Sequence, residues 1–231
     1  MEAVIDFMKK EDEIKRIKTP WPTKNAMEQV YKMKLWGDNK TDFYSGEGSH
    51  NPEIVLPYID AVTAFLNSFE RPLTVCDLGC GDFNVGKKLA PHAKKYSAVD
   101  IVPDLIAFNK EKFTADTIAF HCLDIAKDAL PSGDCAIVRQ VLQHLSNAEI
   151  QSILKKLSNY KYVILTEHIP EGNFVPNKDI ISGQGIRLKQ HSGVNVLAAP
   201  FNFKVKEEKQ LVSVNLNNTK GIIETSLYKV F

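Results

Sequence analysis

The spacing of apolar positions changes along the chain, and each change predicts an element. Five short apolar runs, at 73–78, 96–101, 117–123, 135–141 and 162–167, read as strands. Segments 84–91, 103–113 and 146–159 lie between them and read as helices. Pro103 opens the second helix, and Ser146 with Glu149 has capping-box spacing at the start of the third. Strands alternating with helices every ~20–30 residues predict a parallel sheet with helices on both faces.

The flanks break this rhythm. Residues 1–35 are charged, with Val4, Ile5, Met8, Ile14 and Ile17 at weakly helical spacing. The run Thr19-Pro-Trp-Pro22 interrupts them, and a second helix is expected over 25–35. A polar, glycine-containing loop follows over 36–50 and carries Trp36, Phe43 and Tyr44. Asn51-Pro52-Glu53 reads as a helix start, closed near position 69 by Arg71-Pro72. Residues 170–200 hold three prolines and four glycines with little periodicity, and a loop of that length is usually functional or mobile. Two β-rich runs, 209–216 and 222–230, joined through Asn217-Asn218-Thr219-Lys220-Gly221, predict a terminal hairpin. The expected division is an N-terminal helical cap with its loop over 1–69, and a core over 70–231 carrying a substrate loop at 170–200.

Composition narrows the partners without naming one. The chain has 231 residues, 44% of them hydrophobic and 25% charged, values of an ordinary globular protein. Its 29 basic and 28 acidic residues leave a net charge of +1, so no global field draws it to nucleic acid or anionic lipid. No dense basic stripe interleaved with aromatics exists, and no uncharged apolar run reaches membrane-spanning length. Cys76, Cys80, Cys122 and Cys135 lie in or beside strand-like runs and read as small buried hydrophobes; no second pair with zinc spacing completes a metal site. The first ten residues lack an apolar leader core, and a cytoplasmic protein is expected.

One motif carries chemistry. The first strand leads into Val75-Cys-Asp77-Leu-Gly79-Cys80-Gly81-Asp82, and glycines at a strand-to-helix turn let backbone amides approach a ligand. The third glycine of a dinucleotide fingerprint would fall at 84, which is Asn84. Asp77, just before the turn, disfavours a pyrophosphate and suits a cationic amino group. Asp100 ends the next strand, where a carboxylate can accept both hydroxyls of a ribose. A ribose with an ammonium and no diphosphate describes S-adenosylmethionine.

Asp77-Leu-Gly79-Cys80-Gly81 followed by Val99-Asp100-Ile101 resembles the first two motifs of class I S-adenosylmethionine-dependent methyltransferases. The resemblance spans roughly residues 70–168 and implies a Rossmann-like, doubly wound α/β fold: a seven-stranded, mostly parallel sheet with an antiparallel last strand. It implies that Asp124 binds the adenine amine and Ile125 packs on the ring. It also implies that the segment from Arg139 and Gln140 to His144 meets the methionine part and the acceptor. The loop with Trp36, Ser45, Gly46 and Gly48 looks like a cofactor-covering segment of a bacterial subgroup. The implied cofactor is S-adenosylmethionine, leaving as S-adenosylhomocysteine.

His144 and His168 follow the fourth and fifth strands, at the carboxyl edge where open α/β sheets bind ligands. Histidine titrates near neutrality, so either could take a proton from an acceptor hydroxyl, which points to oxygen as the methylated atom. The basic loop residues Lys178, Arg187, Lys189 and His191 suggest an anionic small-molecule acceptor, with Arg187 and His191 as its contacts. Three alternatives stay open: an aminopropyltransferase on the same fold, a non-catalytic partner protein, and a NAD-dependent enzyme. Oligomeric state and acceptor identity are not legible.

Overall fold

In the computed structural model, residues 21–38, 40, 43–215 and 221–231 are described. The helical reading of 1–20 and the turn of the terminal hairpin lie outside them. The strands are β1 (Thr74–Leu78), β2 (Lys95–Asp100), β3 (Ile118–Cys122), β4 (Cys135–Arg139), β5 (Tyr162–Ile169), β6 (Glu207–Asn215) and β7 (Ile222–Lys229). The helices are α1 (Thr23–Lys32), α2 (Glu47–His50), α3 (Pro52–Leu66), α4 (Gly86–Leu89), α5 (Pro103–Lys112) and α6 (Asn147–Leu157).

The strands form one seven-stranded sheet in the order β3-β2-β1-β4-β5-β7-β6. β1 to β5 run parallel, while β7 is antiparallel to both β5 and β6. The order reverses between β1 and β4, which places a crevice beyond their carboxyl ends.

Alternation along each strand feeds two cores. Cys76, Leu78, Ala136, Val138, Val163 and Leu165 point to one face, with Ile150, Ile153, Leu154 and Leu157 of α6 packed over them. Val75, Ala98, Cys135, Ile137 and Ile164 point to the other, under Tyr58, Val62 and Leu66 of α3. The apolar spacing on both helices is the 3–4 residue repeat of a buried stripe. Ser146 accepts from the Glu149 amide, and the Glu149 side chain reaches back to the Ser146 amide, so the expected capping box forms.

One expectation needs correction. The helix expected over 84–91 shrinks to α4, four residues long, followed by a 3-10 turn at Ala90–His92. The residues before it are held otherwise: Phe83 has a φ of 61°, and Asp82 Oδ1 accepts from the Asn84 amide. The segment 170–200 runs as a long loop with local structure of its own. It carries a 3-10 turn at Arg187–Gln190, and Asn177 ties its ends by donating to the Asn195 and Ala199 carbonyls.

Candidate active site

The carboxyl ends of β1 to β5, the segment 45–49 and part of the loop 170–200 enclose a cavity of about 460 Å³. That lies within the usual range for small-molecule sites, ~300–1,000 Å³.

On the β1–β3 side the cavity is acidic, and backbone holds the acids in place. Asp100 Oδ2 accepts from the Gly81 amide at 3.1 Å, and its Oδ1 from the Val102 amide at 3.1 Å. Burial raises its pKa against these bonds. Asp77 Oδ2 accepts from the Tyr96 hydroxyl at 2.9 Å, and burial pushes Asp77 up to about 7. Gly79 and Gly81 have φ of 86° and 56°, conformations that favour glycine. A side chain at Gly79 would meet Val141 Cγ2 at 2.3 Å, and one at Gly81 would meet Ser45 Oγ at 2.5 Å. The Asn109 amide group donates to the Gly81 carbonyl at 2.8 Å and fixes the bend from below. Further along, Asp124 accepts from the Ala126 amide and from Lys127, while Ile125 lines the cavity beside it.

The segment 45–50 is fastened over this turn. The Asp82 amide donates to Ser45 Oγ at 2.8 Å, and the Ser45 amide donates to Asp82 Oδ2 at 2.9 Å. His50 Nε2 pairs with the same carboxylate at 2.5 Å, and the Asn84 amide group donates to the Ser49 carbonyl.

Arg139, at the end of β4, is the one Lys or Arg among the lining residues. Its guanidinium donates to Gly48 O and Ser49 Oγ and lies 4.8 Å from the Tyr58 ring centre. Its buried Nε has no hydrogen-bond partner. A buried donor left unpaired costs ~1–3 kcal/mol, so an anionic ligand group there relieves a real deficit.

On the β4–β5 side the cavity is lined by two histidines. Past β4 the chain bends at Gln140, whose φ is 55°, into a 3-10 turn at Leu142–His144. Burial pulls His144 down to about 4, so the ring is neutral at pH 7. Its Nδ1 lies 3.3 Å from the Gly185 carbonyl, and a carbonyl only accepts, so Nδ1 carries the hydrogen. The lone pair is then on Nε2, 3.3 Å from the Gln143 amide group. Trp36 covers the ring at 5.1 Å between centroids, and Gln184 donates to the Leu35 carbonyl, so cap and loop meet above His144. His168 also borders the cavity, and burial lowers its pKa, but its Nε2 is buried without a hydrogen-bond partner, turned toward Gly221.

The structure thus brings together at one cavity Trp36, Ser45, Gly46, Asp77, Gly79, Cys80, Gly81, Asp100, Ile101, Asp124, Ile125, Arg139, Gln140, His144 and His168. It does not bring Arg187 or His191 there. Arg187 is 1% exposed and spends its donors on protein acceptors, and His191 is an exposed residue with left-handed backbone. Lys178 and Lys189 are likewise absent from the lining, which removes the support for an anionic acceptor. Sequence reasoning missed Tyr31, Asp82 and Gln143. Asp82 adjoins the glycine turn and could have been found from that alone; nothing local marks Tyr31.

A seven-stranded sheet with an antiparallel β7, its glycine bend after β1 and an acid ending β2 define the Rossmann-like class I methyltransferases. Residues 76–160 match a family model described as a methyltransferase domain. No curated protein matches it. Among solved structures it is similar to the N-methyltransferase NodS from Bradyrhizobium japonicum WM9 with S-adenosyl-L-homocysteine. That likeness has a TM-score of 0.62 and 14% identity, covering 88% of this chain and 98% of that one. It is also similar to magnesium protoporphyrin IX methyltransferase from Synechocystis PCC 6803 with bound S-adenosylmethionine: TM-score 0.57, 16% identity, 91% and 99% covered. Human N-acetylserotonin methyltransferase gives a TM-score of 0.55 at 16% identity over 90% of this chain and 60% of that one. Identities this low speak to the fold, and the three names share no acceptor. All three were solved with S-adenosylmethionine or S-adenosyl-L-homocysteine bound. No described helix is long and apolar enough to cross a membrane.

Proposed function

We propose that the chain methylates an uncharged small molecule at oxygen, with the cofactor on the β1–β3 side of the cavity and the acceptor hydroxyl at His144. The observation that carries this reading is the pairing, within one cavity, of an acidic glycine turn with a neutral histidine on the next strand over. The described residues fit the cofactor. Asp100 is placed to accept the ribose hydroxyls, Asp124 and Ile125 to meet the adenine, and Asp77 to face the amino group. Arg139 has a free Nε for the carboxylate. When bound, S-adenosylmethionine supplies an electrophilic methyl group on a sulfonium.

The protein's own part is to orient and to move one proton. His144 presents an unprotonated Nε2, so it takes the acceptor's proton as attack proceeds; Gln143 Nε2, on that lone pair now, gives way to the hydroxyl. Trp36, Leu145, Ile186 and Ile223 line the cavity with apolar surface that excludes water. Glu149 lines it too, but its carboxylate is occupied by the hydroxyls of Thr23, Ser146 and Ser182, leaving it poorly placed to hold an acceptor cation.

The test has two arms. S-adenosylhomocysteine at 100 times its dissociation constant should stabilise the protein by about 2.7 kcal/mol. Methyl-labelled S-adenosylmethionine offered with panels of neutral alcohols and phenols, amines and carboxylates should label the first panel. Label confined to amines or carboxylates would contradict the oxygen reading.

A further inference from the structure

The turn that carries His144 does not hold itself. Gln140 sits in left-handed backbone, which a residue with a side chain rarely adopts. The 3-10 turn after it has only three residues. Conformations of this kind persist only where the surroundings over-determine them. Here the surroundings are two buried polar side chains from distant segments. Glu167 on β5, 4% exposed, accepts from the amides of Leu142 at 3.1 Å and Gln143 at 2.9 Å. Arg187 grips the carbonyls of the same turn, donating to Leu142 at 3.1 Å, Gln143 at 3.3 Å and Leu145 at 2.7 Å. It also donates to Asn147 Oδ1 at 2.8 Å and the Lys178 carbonyl at 2.8 Å. The Glu167 carboxyl takes the N–H groups and the Arg187 guanidinium the carbonyls, so the two side chains bracket the same peptide groups.

The same loop touches His144 directly. The Gly183 amide donates to the His144 carbonyl at 3.0 Å, and Gly185 accepts from its Nδ1. We infer that Arg187 and Glu167 are positioning residues: they join the loop 170–200 to the β4 turn, so that a seated loop fixes His144 with its hydrogen on Nδ1 and its lone pair on Nε2. Neither residue touches the reacting atoms. A guanidinium suits this work because its planar fork reaches several carbonyls at once, which an ammonium cannot do.

This inference rests on His144 as the base, and the experiment separates the two. The ring nitrogens of His144 are followed by NMR in the full chain, with S-adenosylhomocysteine as the probe for the cofactor half. The wild type should show the Nδ1–H tautomer alone. Arg187→Met should bind the probe within threefold of wild type, lose the single tautomer, and exchange the Gly183 amide at least tenfold faster. Glu167→Gln should show the same changes in smaller measure. Should Arg187→Met fail to fold, Arg187→Lys, which keeps the charge and loses the fork, should give the same pattern. An Nε2–H tautomer in the wild type, or an unaltered His144 in folded variants, would overturn the clamp. The expected tautomer loss in Arg187→Met, alongside a His144→Ala variant that still methylates at full rate, would leave the clamp standing and remove the base.

Discussion

The two halves of the cavity are built in opposite ways. On the β1–β3 side, backbone holds side chains: the amides of Gly81 and Val102 fix the Asp100 carboxylate, all within 22 residues of chain. On the β4–β5 side, side chains hold backbone: Glu167 and Arg187 fix the turn at Leu142–His144 from 24–25 and 42–45 residues away. The first construction is local and survives changes elsewhere. The second needs the loop 170–200 to be seated, so it ties the His144 turn to that loop.

The largest expected effect falls on the second half. Arg187→Met leaves the Leu142, Gln143 and Leu145 carbonyls buried without their donor, and each buried polar group left unpaired costs ~1–3 kcal/mol. Chemical denaturation should show that loss; a change below about 1 kcal/mol would mean the clamp is idle. Next comes His144→Ala, expected to lower methyl transfer ~10²-fold or more while S-adenosylhomocysteine affinity stays put. A normal rate would remove His144 from the chemistry.

A smaller effect concerns pH, and both halves share it. Burial pushes Asp77 up to about 7, despite Tyr96 and Arg139 facing it, and Glu167 up to about 8, despite the amides and Arg187 around it. A folded state with raised carboxyl pKa values binds protons more tightly than the unfolded chain. These two groups therefore make stability fall as pH rises between about 4 and 8, the reverse of ordinary acid denaturation. Glu167→Gln should flatten the upper part of that slope, and unfolding free energies at pH 5, 6.5 and 8 would show it. A slope unchanged in Glu167→Gln would assign it to other groups. Smallest of all is Lys127→Ala. Its pair with Asp124 is exposed on the lysine side, and exposed pairs contribute less than about 1 kcal/mol. Its stability should stay within that bound, which makes it the control for the other variants.

The same contrast explains what was legible in the sequence. Gly79, Gly81 and Asp100 are legible as a tight turn and a strand-end acid because turn chemistry and strand ends are local. The parallel sheet and the closing hairpin follow from periodicity in the same way. Ser146 and Glu149 were readable as a capping box for that reason too. The shortened α4 was not, because Phe83 in left-handed backbone and the bond from Asn84 to Asp82 replace its first turn. Arg187 read as a substrate cation because a charge on a loop is usually solvated. Only the fold reveals that the Leu142, Gln143 and Leu145 carbonyls close around it. Glu167 gave no signal at all, being one acidic residue in an apolar strand.

The division of the cavity is tested most directly by titrating S-adenosylhomocysteine calorimetrically into the wild type, Asp100→Ala and His144→Ala. Asp100→Ala should bind more weakly by ~1.5–3 kcal/mol, through lost charge-assisted bonds, while His144→Ala binds as the wild type does. Equal affinity for Asp100→Ala, or a matching loss in His144→Ala, would contradict a cofactor seated on the acidic side.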